Sequence, residues 1–298
     1  MAQRNHRIRV SFLCIGLGLF LLLTLGWGHA QAAAEEQEEK QPPATKQEAP
    51  QQQPASQGQE AEQPQTPKTE VGVPGPIRYE LTSRMELKYE QIFYEKSGHV
   101  HRFLLSGSYA FSNVSIGIDE FPIIKVDTVG HPEEGYTLGD VIFRFGYVPY
   151  VAPSGNFGAA LVTNLTCPTG DFEKGASNGR YALEPRLFLP YKFTQWFTIV
   201  PALYYMFTLK KEEELAQEVS LLTLRLINIF YPSRTTYVIV DPRYYYDFEA
   251  KQHSGELRFN IGTMITQNTA AFVEWSAGLG VNRLFEAKAA CGLRYFFR

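Results

Sequence analysis

The chain has 298 residues, a formal net charge of -3, 44% hydrophobic residues and 14% aromatic residues. A small negative charge without a basic patch gives no electrostatic footprint for nucleic acid, so no nucleic-acid partner is expected. The three cysteines, Cys14, Cys167 and Cys291, do not have the number or spacing of a disulfide framework or a metal site.

The first 32 residues have the order of a secretory signal peptide. Basic residues between Arg4 and Arg9 precede the apolar segment from Phe12 to Leu25, and small residues follow it. A retained membrane anchor is the alternative, because an apolar run of about 18 residues begins to be long enough to span a bilayer. The small residues favour cleavage after Ala30 or Ala32, and therefore export of the remaining chain.

Residues 33–76 consist mainly of Gln, Glu, Pro and Ala, with almost no large apolar side chain. Such a segment cannot bury enough apolar surface to offset its conformational entropy, and its composition predicts disorder. Its prolines argue against a long charged helix. We therefore expect a Gln/Glu/Pro-rich periplasmic linker, followed by a folded domain at 77–298.

Residues 77–298 are dominated by a two-residue alternation of polar and apolar side chains, which is the period of a β-strand. The alternation is clearest from Glu256 to Ile261 and from Asp140 to Phe145. No further long apolar run occurs, so no membrane-spanning helix is expected here. The pattern predicts twelve strands, at 78–93, 101–112, 114–124, 138–149, 156–167, 180–190, 194–207, 217–230, 235–247, 254–264, 269–280 and 284–297.

The connections between these strands alternate in length. Short turns are predicted at 112–113, 152–155, near Lys192, at 231–233 and at 266–268. The other connections are predicted at 94–100, 125–137, 168–179, 208–216 and 248–253, with a brief one near Asn282. Outer-membrane barrels pair short periplasmic turns with longer outer loops and have an even number of strands. The predicted fold is all-β: a single up-and-down antiparallel transmembrane β-barrel of about twelve strands, in the cell outer membrane.

A soluble β-sandwich or lipocalin-like barrel is the alternative fold, because its strands alternate in the same way. In that fold the apolar face points inward and the charged face meets water. Aromatic residues near the strand ends, such as Tyr147, Tyr191, Trp196 and Trp275, favour a membrane barrel instead, since aromatic girdles mark both interfaces.

A short motif carries a family resemblance. The loop Pro168, Thr169, Gly170 and Asp171 follows a predicted strand, and a "GD" pair at 139–140 opens the strand before it. This order resembles the "PTGD" element of the outer-membrane family named after the MetA pathway of phenol degradation. The resemblance implies a transporter or channel for small solutes, including hydrophobic or aromatic compounds.

The end of the chain is similar to the signal read by the barrel-assembly machinery. Apolar residues stand at every second position up to Phe297, although Arg298 follows it. The expected partners are therefore this machinery, outer-membrane lipids and a solute that the sequence does not identify.

For a transporter the working surface is the interior of the barrel. An Arg or Lys on the lipid face near the midplane would cost roughly 2–4 kcal/mol, so charged strand residues are expected to point inward. Acidic and basic residues are interleaved, which allows either a narrow polar channel without clear ion preference or a barrel closed by ion pairs. The predicted lumen-lining residues are Arg84, Glu86, Arg102, Asp119, Asp140, Arg144, Glu184, Arg186, Asp241, Arg243, Glu256, Arg258, Lys288 and Arg294, with Lys88, Arg225 and Glu286 on the same pattern.

An outer-membrane lipid hydrolase is the alternative of a different class. Its chemistry needs a Ser nucleophile, a His base and an orienting group on adjacent strands. The histidines outside the predicted signal peptide, His99, His101, His131 and His253, fall in or beside predicted loops, with no suitable serine opposite them. A metal site of His99 and His101 with His131 or His253 is conceivable by spacing. Solvated loop histidines are the simpler interpretation, so no enzyme activity, metal or cofactor is expected.

Overall fold

The computed structural model describes residues 82–94, 98–127 and 135–297, and the fold of this part of the chain is all-β, with strands and connecting turns but no helix. The signal peptide predicted at 1–32 and the linker predicted at 33–76 lie outside the described residues. No described helix is long and apolar enough to cross a membrane. The strands are β1 (Arg84–Tyr94), β2 (Gly98–Phe111), β3 (Val114–Asp127), β4 (Thr137–Leu138), β5 (Val141–Val151), β6 (Gly158–Cys167), β7 (Arg180–Phe188), β8 (Tyr191–Lys192), β9 (Phe197–Lys211), β10 (Ser220–Phe230), β11 (Thr236–Asp247), β12 (Gln252–Met264), β13 (Thr269–Leu279) and β14 (Ala287–Phe296).

The long strands close into one antiparallel barrel of twelve strands. Each pairs with its neighbours along the chain, and β1 pairs with β14 to close the ring, from Arg84 opposite Phe296 to Phe93 opposite Ala287. The two short strands are additions at the ends of the wall: β4 pairs with β3 and β8 pairs with β9. The predicted fold class and strand number are therefore confirmed.

Several connections differ in length from those predicted. β2 begins at Gly98, whose φ of 95° allows a tight turn, so only residues 95–97 connect it to β1. Lys251 has a φ of 52°, and β12 follows directly, so β11 and β12 are joined by residues 248–251. The tight link predicted near Lys192 is instead the stretch 189–196, which contains β8. The alternation of short and long connections is consequently weaker than the sequence indicated.

The outer surface of the barrel is apolar. Leu87 is 55% exposed and Phe145 50% exposed, although both lie within long strands. Asp241 and Glu256, which point to the interior, are each only 1% exposed. This is the reverse of a soluble barrel, and it is the arrangement that a lipid bilayer requires. The soluble alternative is thereby excluded.

A β-bulge in β3 changes which face its residues occupy. The register between β3 and β5 shifts between Ile118 and Glu120, and the register between β2 and β3 shifts at the same level. A bulge places an extra residue in one strand, so alternation restarts with the opposite parity. Ile118 and Phe121 are both exposed on the outside, whereas Asp119 and Glu120 between them both point inward.

Candidate functional site: the charged interior

The first interior cluster is centred on Asp119. Its carboxylate accepts hydrogen bonds from Arg144 Nη1 at 3.2 Å, Asn164 Nδ2 at 2.6 Å and Arg186 Nη1 at 3.2 Å. Arg186 also pairs with Glu184 on its own strand. Four strands, β3, β5, β6 and β7, are joined by these contacts. The three donors stabilise the negative charge of the Asp119 carboxylate, which burial would otherwise penalise.

The aromatic ring of Tyr204 links this cluster to the next one. The guanidinium carbons of Arg186 and Arg225 each lie 5.0 Å from the Tyr204 ring centroid, which is within the range of a cation–π contact. Arg225 also donates to the Tyr204 hydroxyl and, through Nε, to Asp241 Oδ1 at 3.1 Å. Positive charge on β7 and β10 is therefore held by one ring on β9.

The second cluster is the most buried. Arg243 Nη2 lies 2.7 Å from Asp241 Oδ2, and its Nη1 lies 3.4 Å from Glu256 Oε2. The Tyr245 hydroxyl donates to Glu256 Oε2 at 2.6 Å, and Lys288 Nζ lies 3.9 Å from Glu256 Oε1. These contacts run from β11 through β12 to β14.

The third cluster lies on β1, β2 and β3. Lys88 Nζ and Arg102 Nη1 each lie 3.3 Å from a Glu90 carboxylate oxygen. Arg102 also pairs with Glu120, the residue that the bulge turns inward. Asp119 directly precedes Glu120 in the chain. Strand β3 therefore contributes one acidic group to the first cluster and one to the third.

Two further pairs complete the interior. Arg258 pairs with Glu274, which also accepts from Asn260 Nδ2 at 3.2 Å. Arg294 Nε donates to Glu86 Oε2 at 2.7 Å across the seam between β14 and β1.

Together these groups form a belt to which all twelve long strands contribute. We call it the charged belt and define it as Lys88, Glu90, Arg102, Asp119, Glu120, Arg144, Asn164, Glu184, Arg186, Tyr204, Arg225, Asp241, Arg243, Glu256, Arg258, Glu274 and Lys288. Acidic and basic members are nearly equal in number. The wall is therefore strongly polar but has little net charge.

The structure places the predicted lumen-lining residues in different surroundings. Ten of the fourteen are members of the charged belt, and Glu86 and Arg294 form the seam pair. Arg84 is buried at the start of β1. Glu286 directly precedes β14 and is exposed at that end of the wall, outside the charged belt.

Sequence reasoning missed five belt members: Glu90, Glu120, Asn164, Tyr204 and Glu274. Glu274 lies between the apolar residues Val273 and Trp275, so the polar–apolar alternation is sufficient to predict that its side chain points inward. Glu120 has no such signal, because it follows another inward residue and depends on the bulge.

Asp140 has a structural role outside the belt. Its carboxylate accepts from the backbone N–H of Gly170 at 3.3 Å and from the backbone N–H of Asn178 at 2.7 Å. The Asn178 side-chain amide adds a third hydrogen bond at 3.1 Å. Asp140 therefore fastens both ends of the loop between β6 and β7 to the start of β5.

The motif loop is fixed by its own residues as well. Thr169 Oγ1 donates to the Gly139 carbonyl and accepts from the Val141 N–H, both at 3.0 Å. A Cβ on Gly170 would lie 2.8 Å from the Ala176 carbonyl oxygen and 2.9 Å from Gly139 Cα, so a side chain there would displace the loop. Pro168 directly follows β6, and the Asp171 carboxylate accepts from the Lys174 N–H at 3.2 Å. The PTGD sequence is explained by this attachment to the "GD" pair.

A sequence model of the family described as "Putative MetA-pathway of phenol degradation" matches residues 86–290, which is most of the chain. The chain belongs to this family. The resemblance indicated by the PTGD element is thereby confirmed. In this family member, the motif joins two neighbouring strands at one end of the barrel.

Solved structures show the same fold at low sequence identity. An outer-membrane channel from Pseudomonas putida F1 superposes with a TM-score of 0.58 at 7% identity, over 77% of this chain and 98% of that chain. The NanC porin superposes with a TM-score of 0.53 at 11% identity, over 72% of this chain and 100% of that chain. No curated protein matches the chain.

Proposed function

We propose that the chain is an outer-membrane channel for small solutes, including aromatic and other hydrophobic compounds. The observation that carries the proposal is accessible surface on the inner wall of the closed barrel. Glu120 and Arg258 point inward, yet their side chains are 31% and 28% exposed. Polar groups on the inner wall of a closed barrel can be exposed only to space within that barrel.

The rival is a barrel closed by its own ion pairs, with a structural or surface-interaction role. The most buried groups, such as Asp241 and Glu256, fit that interpretation, because they are covered by their partners. The partly exposed groups belong to the same charged belt and favour a channel. A barrel of twelve strands is intermediate between eight-stranded barrels filled by side chains and sixteen-stranded open pores, so its size permits conduction.

The proposed class of solute is based on the description of the family and on the balance of acidic and basic groups in the charged belt. The family description names phenol degradation, which points to small aromatic compounds. A belt of nearly equal acidic and basic groups creates no strong net field and therefore does not oppose an uncharged solute.

Transport, and not lipid hydrolysis, is the function we propose. The hydrolase alternative needs a His within hydrogen-bond reach of a Ser. Among the described residues, His99 and His101 instead contact Asp127, and His101 contacts Tyr89.

We also propose that residues 1–32 direct export and are removed, and that 33–76 form a periplasmic tether. In the same scheme, the C-terminal segment ending at Phe297 is the part read by the barrel-assembly machinery. The connections 168–179 and 212–219 would then lie on the outer side of the membrane.

Swelling of liposomes that contain the purified full chain tests the channel against the closed barrel. We expect a monosaccharide to enter these liposomes clearly faster than liposomes without protein, and a phenol-type compound to slow that entry by occupying the interior. Swelling no faster than that of protein-free liposomes would overturn the channel proposal and support the closed barrel.

A further inference from the structure

Three potential metal ligands meet on the outside of the barrel, at the ends of β2 and β3. His99 lies directly opposite Asp127 in the strand register, and His101 lies two residues along on the same face. The sequence indicated no metal site, and its conceivable ligand sets used His131 or His253. His131 is outside the described residues, and His253 lies on β12, stacked against Tyr244.

The distances between the ligand atoms suit a small divalent ion. His99 Nε2 lies 2.9 Å and His101 Nε2 3.5 Å from the same atom, Asp127 Oδ2. All three ligand atoms lie within 4.8 Å of one another. Zinc bonds to nitrogen and carboxylate oxygen are about 2.0–2.2 Å, so tetrahedral ligand atoms lie about 3.3 Å apart.

The orientation of His101 is fixed by a neighbour. The Tyr89 hydroxyl on β1 lies 2.6 Å from His101 Nδ1, which leaves Nε2 facing Asp127. Metal-bound histidines have such a second hydrogen bond on the ring nitrogen that does not bind the ion, and it holds the ring in place. The His99 and His101 rings meet edge to face, with centroids 4.8 Å apart.

Lys125 is a positively charged group, within the described part of the chain, that competes with a cation for Asp127. It lies opposite His101 in the register, and its Nζ is 3.1 Å from Asp127 Oδ1. The ammonium contacts one carboxylate oxygen while both imidazoles contact the other. An arriving ion can therefore bind Asp127 Oδ2 without first displacing the lysine, although the positive charge weakens its binding.

We propose that His99, His101 and Asp127 bind a divalent transition-metal ion, with Zn²⁺ the best fit. Two imidazoles and one carboxylate are donors that zinc accepts, whereas Mg²⁺ requires octahedral oxygen coordination. The ion would tie β2 to β3 at one end of the barrel, and water would fill the fourth position. Because the ligands must be deprotonated, binding weakens as the solution is acidified.

Calorimetric titration of the full chain in detergent with ZnCl₂ tests the site, provided the affinity tag contains no histidine. We expect one zinc ion per chain and no comparable binding of MgCl₂. His99→Ala and Asp127→Asn should each weaken binding at least tenfold, because each removes or weakens a ligand. Lys125→Met should strengthen binding, since it removes the competing charge.

His253→Ala is the matched control, because it removes a strand-end histidine far along the sheet from the site, and it should bind zinc like the natural chain. Unboiled gel mobility shows whether each variant is folded. Unchanged zinc binding in a folded His99→Ala/His101→Ala variant would overturn the proposal. Absence of stoichiometric binding by the natural chain would do so as well.

Discussion

Asp119 illustrates how single residues hold the interior together. Its two carboxylate oxygens contact groups from β5, β6 and β7, and two of those groups are guanidiniums. Buried polar groups contribute to stability mainly when all their partners are present, because an abandoned partner bears the full cost of desolvation. Arg144 would bear this cost if Asp119 were lost, because its side chain is largely buried beside Asp119.

Asp119→Asn should lower the free energy of unfolding by roughly 1–3 kcal/mol, since two guanidiniums then lose a charged acceptor. Urea unfolding in lipid vesicles, followed by tryptophan fluorescence, measures this change. Glu249→Gln is the matched control, because Glu249 is exposed between β11 and β12. Equal stability of the two variants would show that the cluster around Asp119 does not stabilise the barrel.

At the scale of the element, the bulge in β3 decides which residues meet lipid. Strict alternation from Ile116 and Ile118 would turn Phe121 into the interior. The observed register shift keeps Phe121 on the outside, 38% exposed. The same shift brings Glu120 to Arg102.

Phe121→Arg should impair assembly as severely as Ile118→Arg, because both place a charge on the lipid face at a cost of roughly 2–4 kcal/mol near the midplane. The yield of heat-modifiable protein in outer-membrane vesicles measures assembly. Glu120→Gln is the inward control and should assemble normally. Normal assembly of Phe121→Arg alongside failure of Ile118→Arg would place Phe121 inside and contradict the bulge.

The strands and their inner and outer faces could be predicted from the sequence because a two-residue period needs no knowledge of the partner strand. The ion pairs of the charged belt could not be predicted from the sequence, because they depend on the register between neighbouring strands. Without the bulge, counting from the turn at 112–113 places Val126 opposite His99 and turns Asp127 to the other face. Asp127 falls in the predicted connection 125–137, whereas the observed β3 extends through Asp127 and pairs it with His99. The three proposed metal ligands could therefore not be grouped from the sequence.

At the scale of the whole molecule, closure turns separate hairpins into one interior. Among the twelve long strands described, the pairing of β1 with β14 leaves no open edge, and the ion pair of Arg294 with Glu86 crosses this seam. A membrane barrel must close in this way, since lipid cannot satisfy unpaired backbone groups. The enclosed charged belt is nearly balanced, so the channel should discriminate weakly between cations and anions.

The reversal potential of the channel in a planar bilayer, under a salt gradient, tests most directly whether the charged belt lines the conducting path. We expect a value near zero for the natural chain. We expect a shift toward anion selectivity for Glu120→Gln and toward cation selectivity for Arg258→Gln, because each variant removes one charge of the wall. The same reversal potential in all three proteins, or no conductance in any of them, would show that the charged belt does not line a conducting path.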